Sequence, residues 1–249
     1  MSKNLKIRLD QLLVKKKLAN SKAKAQSMIM AGQVLVNDKT ITKSGNSFKD
    51  DVKIVIKNLH PFWVSRGALK LLKAIQTFEI EIKNKVCLDI GSSTGGFSEV
   101  LLKNNARKIF SVDVGTNQLH EKLKQEKKII SLEKLNAKYL NNSIIPEKID
   151  LMVCDVSFIS LKKVIYPNLK LLTEKGEIIA LIKPQFETQK SNLRKGVLKD
   201  NLLHKEICDD IIDWFIKECE AQVLGLVQSP ITGPKGNIEF LIYCRLEKS

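Results

Sequence analysis

Apolar residues form seven short runs between residues 86 and 244, and most of these runs are separated by segments with a helical spacing of apolar residues. Short apolar runs are typical of buried strands, whereas apolar residues three or four positions apart are typical of amphipathic helices. The runs predict strands over 86–90, 108–114, 129–132, 149–155, 177–183, 222–227 and 238–244. The helical spacing predicts helices over 64–72, 97–104, 116–124, 160–172 and 201–218. This alternation predicts an α/β fold with a doubly wound, seven-stranded sheet.

The last two predicted strands are joined by the loop 229–236, which is rich in proline and glycine and has no helical pattern. Neighbouring parallel strands need a crossover connection, which is usually a helix. We therefore expect the final strand to insert into the sheet antiparallel to its neighbours.

The first 60 residues follow a different pattern, with two short helices before a few short strands. Apolar residues at helical spacing indicate the helices, and Asn20 or Ser21 is the expected N-cap of the second one. These apolar residues are Leu9, Leu12 and Leu13 in the first helix and Ala25, Met28 and Ile29 in the second. The predicted strands are 34–36 and 40–42, which form a hairpin with a turn at Asn37-Asp38, and 52–56. A unit of this size has a marginal core, so we expect a small α+β domain that presents charge to a partner.

A segment with one proline and two aromatic residues separates the two patterns. Pro61 biases the preceding residue, His60, toward an extended conformation. We expect Phe62 and Trp63 to pack the domains together, and stacking on a nucleic-acid base is the alternative. The predicted boundaries are an N-terminal domain over 1–58, a linker over 59–65 and a second domain over 66–249.

Positive charge is concentrated at the N-terminal end. The chain of 249 residues has a formal net charge of +15 and is 43% hydrophobic, which is enough for a substantial core. Residues 1–60 hold 13 lysines and arginines against 4 acidic residues. This asymmetry indicates a polyanionic partner for the first domain. The alternative is a proteome in which most proteins are rich in lysine.

The cysteines and the N-terminus indicate a cytoplasmic protein. None of the five cysteines forms a C-x-x-C pair, so we expect no metal site, and the absence of a disulfide framework is consistent with a reducing compartment. The N-terminus lacks an apolar segment, and no run approaches the ~20 apolar residues of a membrane helix. We expect no stable membrane association, and no protein partner is evident from the sequence.

The stretch from Val86 to Phe97 is typical of a strand, a glycine-rich turn and the start of a helix, with one acid, Asp89, inside the strand. Its three glycines have the spacing G-x-x-x-G-G and not the G-x-G-x-x-G of dinucleotide sites. We interpret this glycine loop as a site for S-adenosylmethionine (SAM), whose cationic sulfonium needs no pyrophosphate cradle and tolerates a nearby acid. An ordinary tight turn between a strand and a helix is the alternative.

A second acid supports a cofactor site. Asp113 ends the next predicted strand, where a carboxylate can accept hydrogen bonds from the ribose hydroxyls of an adenosine cofactor. The residues predicted to bind the cofactor are Asp89, Gly91, Ser92, Ser93, Thr94, Gly95, Gly96, Phe97, Asp113 and Asp155.

Four charged residues are predicted to meet at the carboxyl edge of the sheet, where ligands bind in this fold. They are Lys70 before the first strand, Asp155 and Lys183 at strand ends, and Glu239 in the final strand. Methyl transfer to an alcohol needs a hydroxyl that loses its proton and is aligned with the methyl donor. Burial and a neighbouring cation both lower the pKa of a lysine, which would give a neutral amine able to take that proton. Taken singly, each of these residues could instead be a solvated surface charge.

The four charged residues lie in segments that resemble the Lys-Asp-Lys-Glu tetrad of FtsJ-like ribose 2'-O-methyltransferases. The segments are Ser65-Arg-Gly-Ala-Leu-Lys70, Cys154-Asp155, Leu181-Ile-Lys183-Pro and Gly236-Asn-Ile-Glu239. The resemblance implies that Lys183 acts as the base-like lysine and that the other three orient it and the ribose.

The N-terminal domain resembles the small RNA-binding fold named after ribosomal small-subunit protein four. The resemblance rests on residues such as Arg8-Leu-Asp10, Leu13, Ser21-Lys22, Gly32 and Val34-Leu-Val36. It implies binding to structured RNA through phosphate contacts, which supply affinity and not sequence choice. The residues expected to contact RNA are Arg8, Lys15, Ser21, Lys22, Lys24 and, in the second domain, Arg66. Each lysine could instead belong to a merely solvated face.

The two domains together are similar to the TlyA family, also called haemolysin A, almost from end to end. Close matches include Asp89-Ile-Gly-Ser-Ser-Thr-Gly-Gly-Phe97 and Val112-Asp-Val-Gly-Thr-Asn-Gln-Leu119. The resemblance implies SAM-dependent 2'-O-methylation of cytidine in ribosomal RNA. The short N-terminus before Arg8 and the brief tail resemble the shorter form of the family, whose substrate is large-subunit RNA. Asn20 departs from the pattern, because a basic residue can stand there in relatives.

The sequence alone is also compatible with other functions. The chain could be a catalytically silent protein that binds ribosomal RNA during assembly, although an intact tetrad argues against this. A membrane-lytic haemolysin is a further alternative, which the absence of a signal peptide and of an apolar span disfavours. A pseudouridine synthase can carry the same N-terminal module, but its catalytic domain does not resemble residues 66–249.

Overall fold

The computed structural model describes residues 6–19, 21–30, 32–56 and 63–247. The chain divides into two compact units, Met1–Pro61 and Phe62–Ser249. The predicted cap Asn20, the residues His60 to Phe62 and most of the predicted linker lie outside the described residues.

In its described residues, the N-terminal unit has two helices and two small antiparallel sheets. Its helices are α1 (Leu9–Lys15) and α2 (Lys22–Met30), and its strands are β1 (Ile7–Arg8), β2 (Val34–Val36), β3 (Lys39–Thr40), β4 (Ser47–Phe48) and β5 (Ile54–Ile56). Strand β1 pairs with β4, and the other three strands form a sheet in the order β3-β2-β5. The predicted helices and hairpin are present, and the β1–β4 pair was not predicted.

Local chemistry explains the elements of this unit. The hydroxyl of Ser21 accepts a hydrogen bond from the backbone N–H of Lys24 at 3.1 Å and so caps the start of α2. Asn37 and Asp38 have φ angles of 49° and 63°, as the tight turn of a two-residue hairpin requires. The apolar residues predicted for both helix faces are buried, and all except Leu12 belong to one core with strand β2.

The second unit contains the seven-stranded sheet. Its strands are β6 (Val86–Ile90), β7 (Lys108–Val112), β8 (Ile129–Leu132), β9 (Ile149–Cys154), β10 (Leu172–Ile182), β11 (Ala221–Gln228) and β12 (Phe240–Leu246). Its helices are α3 (Ala68–Phe78), α4 (Gly96–Lys103), α5 (Glu121–Lys124), α6 (Lys162–Ile165), α7 (Pro184–Glu187) and α8 (Asn201–Cys219). The strand order is β11-β12-β10-β9-β6-β7-β8, and β12 is antiparallel to both of its neighbours. The predicted doubly wound sheet with an antiparallel final strand is confirmed.

Each face of the sheet packs against its own apolar core. Side chains on a strand point alternately to the two faces, so Leu88 lies in one core and the preceding Cys87 in the other. Helix α8 covers the first core with Phe215, and helix α4 covers the second with Leu101. Because both faces are covered, the carboxyl edge of the parallel strands remains the natural place for a binding site.

The lengths predicted for two helices were wrong. The helix predicted over 116–124 is limited to α5, because the Glu133 carboxylate accepts the backbone N–H groups of residues 117, 118 and 119 and holds them in a turn. The helix predicted over 160–172 becomes a 3₁₀ helix at Tyr166–Leu171. Pro167 there has no N–H to continue α-helical hydrogen bonding.

Candidate active site

The glycine loop lies tightly against the end of the neighbouring strand β9. Gly91 has a φ of +83°, and a Cβ at this position would lie 2.6 Å from the carbonyl oxygen of Asp155. Gly95 has a φ of +95°, and a Cβ there would lie 2.3 Å from a methyl carbon of Leu123. Both the backbone conformation and the close approach therefore require glycine.

Asp113 fixes the glycine loop to the end of β7. One of its carboxylate oxygens accepts the backbone N–H of Ser93 at 2.8 Å, and the other accepts that of Gly115 at 2.7 Å. The loop is thus held on one side by β9 and on the other by a carboxylate, which gives it a defined shape.

Two adjoining clefts lie beside the glycine loop. The tetrad cleft has a volume of about 240 Å3, and the apolar cleft has a volume of about 430 Å3. The tetrad cleft is lined by Lys70, Asp155, Lys183 and Glu239 together with Ser65, Arg66, Ser92, Gly96, Phe97 and Gly233. The apolar cleft is lined by residues that include Val112, Asp113, Val114, Asn136, Ala137, Phe158 and Ile159. The clefts share Gly91, Ser93, Asp155 and Ser157, so a molecule in one can touch a molecule in the other.

The four charged residues predicted to converge lie in direct contact. Nζ of Lys70 is 3.2 Å from Oδ2 of Asp155 and 2.8 Å from Oε2 of Glu239. Nζ of Lys183 is 2.5 Å from Oδ1 of Asp155. The side chains of Lys70, Lys183 and Glu239 are 9% exposed or less, and that of Asp155 is 19% exposed. The carboxylate of Asp155 is therefore shared by two amines at the floor of the tetrad cleft.

These contacts set the charges of the site. Burial raises the pKa of Asp155, but the two adjacent lysines outweigh burial and hold it at about 2. Burial lowers the pKa of Lys70, but Asp155 and Glu239 outweigh burial and hold it above its usual value. The expectation that burial and a neighbouring cation would give a neutral amine is therefore wrong for Lys70, which remains a cation.

Glu239 reaches the site because the last strand is antiparallel. It immediately precedes β12, whose first residue, Phe240, pairs with Ile182 near the carboxyl end of β10. The backbone of Gly233 covers its carboxylate so closely that a Cβ there would lie 2.1 Å from Oε1. Glycine at this position therefore allows the loop before β12 to close over Glu239.

Three of the residues predicted to bind the cofactor lie behind the cleft walls. Asp89 is fully buried and accepts a hydrogen bond from Ser98 at 2.6 Å, so it can act on a cofactor only through the loop. The carbonyl of Thr94 accepts the N–H of His120, and Gly95 packs against α5. The other predicted residues line one or both clefts; they are Gly91, Ser92, Ser93, Gly96, Phe97, Asp113 and Asp155.

The structure adds residues that the sequence did not single out. Ser157 accepts a hydrogen bond from Nζ of Lys183 at 2.9 Å. Phe158 has a φ of 66°, is 89% exposed at the mouth of the apolar cleft, and packs against Phe186 with ring centroids 5.0 Å apart. Asn136 lines the apolar cleft. The proximity of Ser157 to Asp155 in sequence was the one available signal.

The basic residues predicted in the N-terminal unit lie at its surface. The guanidinium of Arg8 donates two hydrogen bonds to Asp10, at 3.1 and 2.8 Å, and Asp10 is fully buried. Lys15 forms an exposed ion pair with Asp50. Lys22 and Lys24 are exposed, and Ser21 is the helix cap described above. In the second unit, Arg66 donates to the carbonyl of Thr232 at 3.3 Å on the rim of the tetrad cleft.

Each of the two units matches a known sequence family. The FtsJ-like methyltransferase family matches residues 63–246, and the S4 domain family matches residues 7–46. Within the described ranges, no helix has both the length and the apolar character needed to cross a membrane. The fold, the clefts and the family match define the second unit as an FtsJ-like methyltransferase domain.

Relatives match the chain over nearly its whole length. Hemolysin A of Brachyspira hyodysenteriae is 40% identical, over 95% of this chain and 99% of that protein. The protein of Campylobacter jejuni named 23S rRNA (cytidine-2'-O)-methyltransferase TlyA is 40% identical, over 92% of this chain and 96% of that protein. The solved structure of a proposed hemolysin of Streptococcus thermophilus is 35% identical, has a TM-score of 0.76, and covers 99% of this chain and 90% of that one. The chain therefore belongs to the TlyA/hemolysin A family of methyltransferases.

Proposed function

We propose that this protein transfers a methyl group from SAM to the 2'-oxygen of a cytidine ribose in ribosomal RNA, with large-subunit RNA as the substrate. The observation that carries the proposal is the contact of Lys70, Asp155, Lys183 and Glu239 beside the glycine loop. The name of the relative from Campylobacter jejuni supports the choice of nucleoside and of ribosomal subunit.

The apolar cleft suits the adenosine part of SAM. Val112, Val114 and Ile159 supply apolar walls, and Asp113 offers carboxylate lone pairs to ribose hydroxyls. At the junction with the tetrad cleft, Gly91 has no side chain, and Ser93 and Asp155 would hold the part of SAM that carries the methyl group. Bound SAM would supply the methyl group, and its sulfur would leave as the bond to the ribose oxygen formed.

Each residue of the tetrad has its own role in the remaining chemistry. The neutral form of Lys183 accepts the proton of the 2'-hydroxyl, and Asp155 holds its amine in the tetrad cleft. Lys70 remains a cation, so it keeps Asp155 and Glu239 charged and fixed. Alignment of the hydroxyl with the methyl donor supplies a large part of the rate.

RNA binding is assigned to the N-terminal unit and to the rim of the tetrad cleft. Residues 1–58 are the RNA-binding domain, 59–65 the linker and 66–249 the catalytic domain. The phosphate contacts are assigned to Arg8, Lys15, Ser21, Lys22, Lys24 and Arg66. Such contacts position the RNA and do not select its sequence.

Transfer of a labelled methyl group to isolated large-subunit RNA and to assembled subunits tests the function directly. We expect incorporation at one cytidine 2'-oxygen, located by mapping the methylated position. Lys183→Ala should lower the rate of transfer by at least about 100-fold, because general base catalysis contributes a factor of this size. Calorimetry should show that the variant still binds S-adenosylhomocysteine.

The control is Lys175→Ala, which removes an exposed lysine near the start of β10. Absence of any transfer by the unmodified protein would favour the catalytically silent RNA-binding protein. Lysis of vesicles by both the unmodified protein and Lys183→Ala would instead favour the haemolysin. Full activity in Lys183→Ala would remove that residue from its proposed role.

A further inference from the structure

Ser157 lies where the two clefts meet. It follows Asp155 by two residues on the segment that leaves β9, and it lines both the tetrad cleft and the apolar cleft. Its hydroxyl oxygen accepts a hydrogen bond from Nζ of Lys183 at 2.9 Å. The residue itself is exposed, so it contributes little to the apolar core. Its place in the fold thus indicates a role in the cleft and not in folding.

The contacts of Lys183 restrict the orientation of its amine. The proposed proton transfer requires the neutral form of Lys183, in which the amine has two N–H donors and one lone pair. Two acceptors lie close to Nζ of Lys183, namely Oδ1 of Asp155 at 2.5 Å and Oγ of Ser157 at 2.9 Å. If the neutral amine directs one N–H toward each of these oxygens, the lone pair is the only position left to meet a hydroxyl that enters the cleft.

Without the serine hydroxyl, the orientation of the Lys183 amine would no longer be fixed. With Asp155 as the single acceptor, one N–H remains unassigned, and the amine can rotate about its Cε–Nζ bond. In some of the resulting orientations an N–H, and not the lone pair, faces the incoming hydroxyl. The fraction of encounters in which a proton can be taken would then fall, whereas the shape of both clefts would not change.

We propose that Ser157 is a positioning residue that directs the lone pair of Lys183 toward the 2'-hydroxyl of the substrate. This inference rests on the proposed function. In the step it serves, the hydroxyl proton passes to Nζ of Lys183. The 2'-oxygen forms its bond to the methyl carbon, and the bond between that carbon and sulfur breaks with its electron pair on sulfur.

Three variants of the full-length protein test this role. Ser157→Ala removes the acceptor, Ser157→Thr keeps a hydroxyl at the same position, and Ser143→Ala removes an exposed serine from a distant loop as the control. For each variant we would measure kcat, the KM values for SAM and for large-subunit RNA, and the affinity for S-adenosylhomocysteine by calorimetry.

We expect Ser157→Ala to lower kcat about tenfold, the factor that corresponds to loss of one hydrogen bond to a reacting group. Both KM values and the affinity for S-adenosylhomocysteine should stay within about twofold of the unmodified protein, because hydrogen bonding to Lys183 is not part of substrate binding. Ser157→Thr should recover most of kcat, and Ser143→Ala should match the unmodified protein.

Three results would overturn the inference. They are an unchanged kcat in Ser157→Ala, a loss confined to cofactor affinity, and a Ser157→Thr variant as slow as Ser157→Ala. Failure of the unmodified protein to methylate RNA would instead reject the proposed function, so the two failures are distinguishable in the same experiment.

Discussion

Two aspartates beside the glycine loop have pKa shifts of opposite sign. Burial raises the pKa of Asp155, but the adjacent Lys70 and Lys183 overcome it and hold the pKa at about 2. Burial also raises the pKa of Asp89, and the hydrogen bond from Ser98 is too weak to offset it, so the value is about 7. The same residue type thus has a lowered pKa at the cleft and a raised pKa behind it, because only one of the two lies beside lysine amines.

The raised pKa of Asp89 predicts a pH-dependent loss of stability. Between its unfolded pKa of about 3.9 and its folded pKa of about 7, the folded state binds one more proton than the unfolded state. The free energy of unfolding contributed by this residue is therefore largest below pH 4 and decreases as pH rises to 7. Asp89→Asn, which keeps an acceptor for Ser98, should become progressively more stable than the unmodified protein across this range.

Melting temperatures of both proteins at several pH values between 4 and 8 measure this difference. The total change should be a few kcal/mol at most, since one unit of pKa corresponds to about 1.4 kcal/mol. Asp209→Asn, at an exposed position of α8, is the control. A constant difference between Asp89→Asn and the unmodified protein at every pH would contradict the prediction.

At the scale of elements, the loop before β12 is held by one buried side chain. The carbonyl oxygen of the Asn237 side chain accepts the N–H of Leu198 at 3.1 Å, and its amide donates to the carbonyls of Gly196 and Pro234, both at 3.1 Å. Asn237 therefore ties the turn around Gly196 to the loop whose Gly233 covers Glu239. Two segments that are 39 to 41 residues apart in sequence are joined through a single amide.

We expect Asn237→Ala to release this connection. Loss of three hydrogen bonds at a site that is 4% exposed should lower the free energy of unfolding by about 1–3 kcal/mol, because buried backbone groups lose their partners. Hydrogen exchange at the Leu198 amide should become faster. Methyl transfer should also decrease, since Glu239 would lose part of its covering loop.

Asn142→Ala, at an exposed position, serves as the comparison for both measurements. Unchanged protection of the Leu198 amide in Asn237→Ala would show that the connection does not hold the turn in solution.

At the scale of the whole molecule, positive charge and catalytic geometry are divided between the two units. The first 60 residues carry 13 of the 42 lysines and arginines but only 4 of the 27 acidic residues, whereas the tetrad lies entirely in the second unit. Arg8 is held by the buried Asp10, so its removal would also leave a buried carboxylate without its cation. Lys22 and Lys24 are exposed and test RNA binding more cleanly.

Lys22→Ala combined with Lys24→Ala should weaken RNA binding, because the variant neutralises fewer phosphates. Removal of two lysine–phosphate pairs should reduce the slope of the logarithm of affinity against the logarithm of salt concentration by about 1.4–1.8. The matched control removes two exposed lysines from the second unit, Lys127→Ala with Lys175→Ala. Equal salt slopes for the two double variants would mean that Lys22 and Lys24 do not contact phosphates.

The sequence by itself determined the elements whose pattern is local. Alternating apolar runs identified seven strands, because each strand buries its own residues, and the lack of a helix before the last strand predicted its antiparallel direction. The short motifs around Lys70, Asp155, Lys183 and Glu239 predicted which charges would meet. In contrast, residues 116–119 lost their predicted helix to the carboxylate of Glu133, a contact that the local pattern does not contain.

Only the tertiary structure decided the properties that depend on distances between remote segments. It decided that Asp89 lies behind the cleft, that Lys70 remains a cation, and that Ser157 meets Lys183. The physical reason is that a pKa or a hydrogen bond depends on atoms a few ångströms away, and in this fold those atoms come from different strands. Periodicity reports burial along one element, and it carries no information about which charges face each other across the sheet edge.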